Sequence, residues 1–274
     1  MICLTCDVHH SSLQTGNQKH CDISEIEVAN IFSKMLEDRG IRSTFFISGR
    51  SFEEEWDSLS RLCQNPLMEI GGHTYNCFAP ELWHRISKKA FGSYNGPGWY
   101  EKRDIQKTID IIREKTGKTI RSWRNHMYMH GKNTDRILSE CGIEICSDGV
   151  DNTNFRPRST DSGILHLPIN IIPDHEHLYH AERTPEYVAW WVKRYKWSDC
   201  FGSESYHVED WARIVLDGLK KNEEAGRLSV VLVHPITLYL CDRFRAFEPI
   251  LDFISQCETI QMGSLIPEER AKLA

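Results

Sequence analysis

Five short polar clusters follow runs of apolar, β-compatible residues in this 274-residue chain. They are Asp7-Val8-His9 after ICLTC, His73-Thr74-Tyr75-Asn76-Cys77 after MEIGG, Arg124-Asn125-His126 after SW, Ser147-Asp148 after IEIC, and His234-Pro235 after LSVVLV. Carboxylates, imidazoles and thiols ligate divalent metals and carry protons, and a guanidinium holds a neighbouring carboxylate in its charged form. One strand-end Asp or His by itself is usually a capping or hydrogen-bonding residue. It is the recurrence at the ends of five strands that points to one active site, because parallel α/β folds gather such ends on one rim.

The elements that must position these residues alternate. ICLTC reads as a first strand. Ile23 to Arg39 places Ile26, Ala29, Ile31, Phe32, Met35 and Leu36 at helical spacing and closes on Gly40, a favoured helix terminator. STFFISG is a buried-type strand, Trp56 to Cys63 a helix, and MEIGGHTYN a third strand entering a turn. Helices follow at Glu101–Lys115, Thr134–Cys141 and Glu209–Glu224, and around Phe247 to Ile254. IEICSDG, ILHLPI and LSVVLVHP read as further strands. This order predicts an α/β chain with a mostly parallel sheet, closed or nearly closed into a distorted (β/α) barrel, as a single domain over 1–274.

Three stretches are expected as irregular, substrate-facing loops: 78–100, about 151–163, and 173–208, the last holding His175, His177 and His180. Trp83, Trp99, Tyr100, Trp123, Tyr128, Trp190 and Trp191 fall in or beside them. Aromatic faces suit sugar rings, although at least one of Trp190 and Trp191 is expected in a helix and in the core.

A 40% hydrophobic, 26% charged chain has material for a sizeable core, and a formal net charge of -6 disfavours a nucleic-acid partner. No apolar run reaches a transmembrane length, and MICLTCDVHH lacks the layout of a signal peptide, so a cytoplasmic location is expected. The ten cysteines are scattered, mostly within apolar runs, and read as reduced thiols. Cys3 and Cys6 have redox-pair spacing, but a strand would point them to opposite faces.

Several of these segments resemble the polysaccharide deacetylases, the NodB-homology hydrolases of carbohydrate esterase family 4, and their relatives that cleave non-sugar amides. Leu4-Thr5-Cys6-Asp7-Val8-His9 takes the place of that family's first motif. Ser43-Thr44-Phe45-Phe46 is similar to its second strand, Glu69-Ile70-Gly71-Gly72-His73-Thr74 to its Glu-Ile-Gly-Asn-His-Ser, and Leu232-Val233-His234-Pro235 to its closing Leu-His-Pro. The resemblance runs over about residues 1–256 and implies a NodB-type barrel that hydrolyses an amide or ester, an N-acetyl group on an amino sugar being typical. It implies Asp7 as the general base on the attacking water, His234 as the general acid on the leaving amine, and Arg124 as the residue that holds Asp7 ionised.

The metal positions depart from the family pattern. His9 stands where a carboxylate is usual, His73 is retained, and Cys77 replaces a second histidine. His9, His73 and Cys77 still make a sound donor set for a divalent ion, zinc being favoured. His10, Asn76 or Asp7 are alternative ligands, while His126, Tyr128 and Asp148 are expected to touch substrate. The implied partner is a nucleotide- or lipid-linked amino sugar or a small amide. Three competing readings remain: a catalytically inactive carbohydrate-binding or structural relative, a metal-independent hydrolase of a small non-sugar amide, and an unrelated amidohydrolase barrel. Convergence of Asp7, Arg124 and His234 separates an enzyme from a binding protein, which has no use for all three.

Overall fold

A computed structural model describes residues 1–181 and 183–267. Eight strands form one sheet: β1 (Ile2–Val8), β2 (Ser43–Ile47), β3 (Met68–Gly72), β4 (Ser122–Trp123), β5 (Ile145–Cys146), β6 (Arg158–Ser159), β7 (Leu165–His166) and β8 (Ser229–Val233). Their order is β6-β7-β5-β4-β3-β2-β1-β8, parallel throughout except for β6 against β7. The sheet curls into a half-barrel with helices around it, as the alternation of strands and helices predicts. Beyond β7 the chain crosses to the outer edge of β8, where Asn170 N and Ile171 N both donate to Val230 O (3.2 Å) and Asn170 Oδ1 accepts from Val230 N (2.8 Å). A side-chain amide thus completes what backbone pairing leaves open.

Strand alternation sorts the side chains. On β1, Leu4, Cys6 and Val8 join the core beneath the helices, whereas Cys3 packs with Phe46, Ile145, Leu165, Leu167 and Val230 on the other face. Cys3 and Cys6 therefore point apart, as the strand reading requires. All ten cysteines are free thiols.

The helices match their sequence signals to within a few residues. The helix Glu25–Glu37 opens with a capping box, Ser24 accepting from Glu27 N and Glu27 accepting from Ser24 N. Gly40 beyond its end takes a φ of +66°. The region 78–100 departs from expectation: a helix, Glu81–Phe91, lies where a loop was predicted, and the next helix already begins at Gly98. Its Gly, Pro and aromatic residues fall at the ends and flanks of that helix, with Gly92 terminating it at a φ of +72°. Within 173–208, Asp174–His177 and Pro185–Tyr195 are helical, and Trp190 is 54% exposed.

Two glycines set the approach of β3 to its neighbours. A Cβ on Gly71 would stand 2.5 Å from the Phe46 ring, and one on Gly72 would stand 2.2 Å from Trp123. Trp123 is wholly buried against this strand, which removes it from the proposed aromatic rim. No helix among the described residues is long and apolar enough to cross a membrane.

Candidate active site

Asp7, the last inward-facing residue of β1, is 3% exposed, and its Oδ1 accepts from Arg124 Nη1 at 2.8 Å. Arg124 follows β4 and is completely buried. Its other donors go to Thr5 Oγ1 (3.0 Å), Ser147 O (2.8 Å) and Ser147 Oγ (2.8 Å), and its guanidinium lies 4.5 Å over the Phe46 ring. Four of the five guanidinium N–H groups have partners, so the carboxylate of Asp7 is held with Oδ2 toward His73 (3.9 Å).

His234 lies across the barrel mouth, at the turn between β8 and the helix Pro235–Asp242. The backbone N of His234 donates to Asp174 Oδ2 (2.5 Å), and its Nδ1 donates to Asp174 Oδ1 (2.8 Å), leaving Nε2 directed away from this partner. Burial works against a charge on this imidazole, but the carboxylates of Asp174, Asp7 and Glu176 outweigh it and raise its pKa to about 9. A histidine so placed is protonated at neutral pH, the condition a general acid needs.

Between the base and the acid lies a knot of imidazoles. His9 is 6% exposed, and its Nδ1 and backbone N both face Glu25 Oε1 (2.9 and 3.0 Å). Glu25 sits in the first turn of the helix Glu25–Glu37, where the free backbone N–H groups favour an anion. His9 Nε2 is buried without a hydrogen-bond partner. His73 Nδ1 donates to Arg124 O (3.0 Å), which leaves the lone pair on its Nε2, 3.2 Å from His126 Nδ1. Burial, helped by His9, Arg124 and His234, holds the His73 pKa well below the usual histidine range, so it stays neutral and able to ligate.

One ligand atom from each of His9, His73, Cys77 and His126 lies within 4.8 Å of the others. The three positions expected to hold a metal are brought together, and His126, assigned to substrate, joins them. Its signal in the sequence was its place two residues after Arg124, on the turn that starts where β4 ends. Cys77 is buried, with Sγ 3.9 Å from His73 O, and burial pushes its thiol well above the usual cysteine range. The donor set, three imidazoles and a thiol with one imidazole nitrogen already bare, fits a zinc-like ion.

The remaining expected residues have other surroundings. Both oxygens of Asp148 are engaged: Oδ1 accepts from Asn125 N (2.7 Å), and Oδ2 meets Asn125 Nδ2 (2.7 Å) and His130 Nδ1 (2.8 Å). Asp148 therefore holds the Arg124–His126 turn and is not directed at a substrate. The ring of Tyr128 lies in the electrostatic neighbourhood of Glu176, Arg124, Asp7 and Asp174, on a residue with a φ of +53°. His10 pairs with Ser48 (3.0 Å) outside the imidazole cluster, and Asn76 donates to Ala79 O. Of the second histidine group, His175 lies 5.2 Å from His234 with the rings tilted by 44° and His180 faces Asn17 (2.8 Å), while His177 is fixed between Glu204 O and Asp199. Asp174 and Glu25, which aim the acid and His9, went unassigned in the sequence. Asp174 follows Pro173 inside the flagged 173–208 stretch, whereas nothing local distinguishes Glu25 from any other acidic residue in a first helical turn.

Residues 22–146 match the polysaccharide deacetylase family model. That stretch, somewhat under half of the chain, is similar to the polysaccharide deacetylases. The NodB-like fold extends beyond the matched segment. A structure from Mycobacterium smegmatis, described as a polysaccharide deacetylase, superposes with a TM-score of 0.70 at 14% identity, covering 99% of this chain and 91% of that one. Puue allantoinase follows with a TM-score of 0.66 at 12% identity, covering 98% and 90%. A carbohydrate esterase family 4 pseudoenzyme from Bacillus anthracis gives 0.52 at 14% identity, covering 97% of this chain and 65% of that one. No curated protein sequence matches the chain significantly.

Proposed function

We propose that this NodB-like chain is a metal-assisted hydrolase of a carbon–nitrogen amide bond, with an acylated amino sugar or a small amide as substrate. The observation that carries the proposal is the convergence of three separately supported groups: Asp7 held by Arg124, His234 held by Asp174, and His9 held by Glu25 with its other nitrogen bare. His9, His73 and His126 or Cys77 would hold the ion, which when bound supplies a Lewis acid that polarises the substrate carbonyl and eases deprotonation of water.

The protein's own groups carry the protons. Asp7, fixed by Arg124, takes a proton from the attacking water. His234, protonated at neutral pH, gives a proton to the departing nitrogen, without which an amine is a poor leaving group. Arg124 also gives the buried Asp7 carboxylate a cationic partner, and Asp174 favours the imidazolium of His234. Tyr128 and the exposed His175 border the open side, where substrate would enter.

Metal analysis of the purified protein, alongside turnover of a panel of N-acetylated amino sugars and small cyclic and linear amides, tests the proposal. His73→Ala is expected to bind about one zinc-class ion per chain fewer than the native protein, with turnover abolished in Asp7→Asn. A native protein that binds ion at His73 but turns over no member of the panel would favour the binding-protein reading, which the replaced metal positions and the pseudoenzyme neighbour support.

A further inference from the structure

A second group of metal-binding side chains lies on the other face of the sheet. Cys146 on β5 and His166 on β7 are register partners across adjacent parallel strands, so their side chains share a face. It is the face away from the barrel interior: Cys146 packs with the helix-side core, whereas its neighbour Ile145 packs inside. The helix Thr134–Glu140 brings Asp135 to this face, and the turn after Tyr128 brings His130.

Three of the four side chains are mutually engaged, and Cys146 stands close to the two imidazoles. His166 Nε2 is 2.7 Å and His130 Nε2 is 3.1 Å from the same oxygen, Asp135 Oδ1, and the two imidazole rings stand 5.0 Å apart. One ligand atom from each of His130, Cys146 and His166 lies within 4.8 Å of the other two. Cys146 is wholly buried, whereas the His130, His166 and Asp135 side chains are 24–27% exposed, so the cluster is closed on the inside and has access from solvent. A hydrogen-bonded His–Asp–His chain joins the imidazoles and the carboxylate, and the Cys146 thiol, in the helix-side core, closes the cluster from the inside.

We propose that His130, Asp135, Cys146 and His166 form a second divalent-metal site of the structural zinc type, independent of the cluster around His9. Tetrahedral zinc with nitrogen ligands at about 2.0–2.1 Å and sulfur at about 2.3 Å places neighbouring donor atoms roughly 3.3–3.8 Å apart, so side-chain movements on the order of an ångström would seat the ion. The outer support already exists. His130 Nδ1 faces Asp148 Oδ2 at 2.8 Å, the carboxylate–imidazole arrangement that orients metal-bound histidines. Asp148 also binds Asn125 N and Nδ2, so an ion here braces the turn that carries Arg124 and His126 on the opposite face.

The test uses the full chain carrying His73→Ala, which disables the cluster at His9, stripped with chelator and titrated with zinc and with cobalt(II). The proposal expects about one ion bound per chain in this background. It also expects a rise in melting temperature with zinc and a cobalt spectrum with thiolate charge-transfer absorption. Cys146→Ser should remove that absorption, whereas Cys77→Ser should keep it. His166→Asn and His130→Gln should each remove the ion, and the partly exposed His130 makes its variant the arbiter should Cys146→Ser fail to fold. No binding in the His73→Ala background, or binding that His130→Gln and His166→Asn leave unchanged, overturns the proposal. Ion binding in the His73→Ala background is read without any turnover measurement, so the two readings fail separately.

Discussion

His9 shows how a single substitution can alter a site without emptying it. Where the related family uses a carboxylate, this chain has an imidazole whose Nδ1 leans on Glu25 and whose Nε2 is bare. The negative charge has moved one shell outward. Glu25→Gln should therefore weaken metal affinity by about 10–100-fold without removing a ligand, readable by competitive zinc titration. His234 gives a second prediction at this scale. Its pKa is raised from 6.5 to about 9, so as a general acid it should sustain turnover at neutral pH, and rate should fall as pH rises through about 9. The same group contributes stability that is full below its unfolded value and lost as pH rises through the folded one. Asp174→Asn removes the carboxylate at 2.8 Å and should move the alkaline limb of the rate profile to lower pH. An unmoved limb would show that another group donates the proton. Arg124→Met should destabilise the fold by about 3–5 kcal/mol in denaturant titration, since it strands the Asp7 carboxylate with 3% exposure.

At the level of elements, β3 is set by its glycines. His73 occupies its position because Gly71 and Gly72 let Phe46 and Trp123 close over the strand, and a methyl at residue 72 would stand 2.2 Å from a ring that is itself fully buried. Gly72→Ala should cost about 1–3 kcal/mol through forced separation of β3 and β4. Because His73 Nδ1 donates to Arg124 O across that same seam, metal affinity should fall along with stability. A variant that lost stability and kept full metal affinity would show that the seam and the site are independent. The glycines were legible as a Gly-rich turn entry. That they are the contact surface for a tryptophan fifty residues away was not, since nothing in the local sequence names the partner.

For the whole molecule, the outer edge of β8 decides whether acid and base face each other. Asn170 joins that edge to the returning chain by three hydrogen bonds, to Asn154 O (3.0 Å), Leu228 O (2.9 Å) and Val230 N (2.8 Å), at 4% exposure. Asp174 lies four residues further on. Asn170→Leu leaves backbone groups of the buried Asn154 and Val230 and of the partly buried Leu228 unpaired, at about 1–3 kcal/mol for each buried one, and should lower the melting temperature sharply. It should also reduce turnover more than Asn154→Ala, because Asp174 loses its anchor to β8.

The sequence by itself determined the alternation of the main strands and helices outside 78–100, 151–163 and 173–208, the strand-end placement of Asp7, His73, Arg124 and His234, and the opposed directions of Cys3 and Cys6. Periodicity and strand ends follow from local geometry that each segment carries with it. Only the tertiary structure decided that His126 joins His9, His73 and Cys77, that Asp148 braces a turn, that Trp123 is core, and that Glu25 and Asp174 aim two histidines. Each of those depends on a partner distant in the chain, and a segment's own residues do not encode which distant side chain the closing barrel will bring against it.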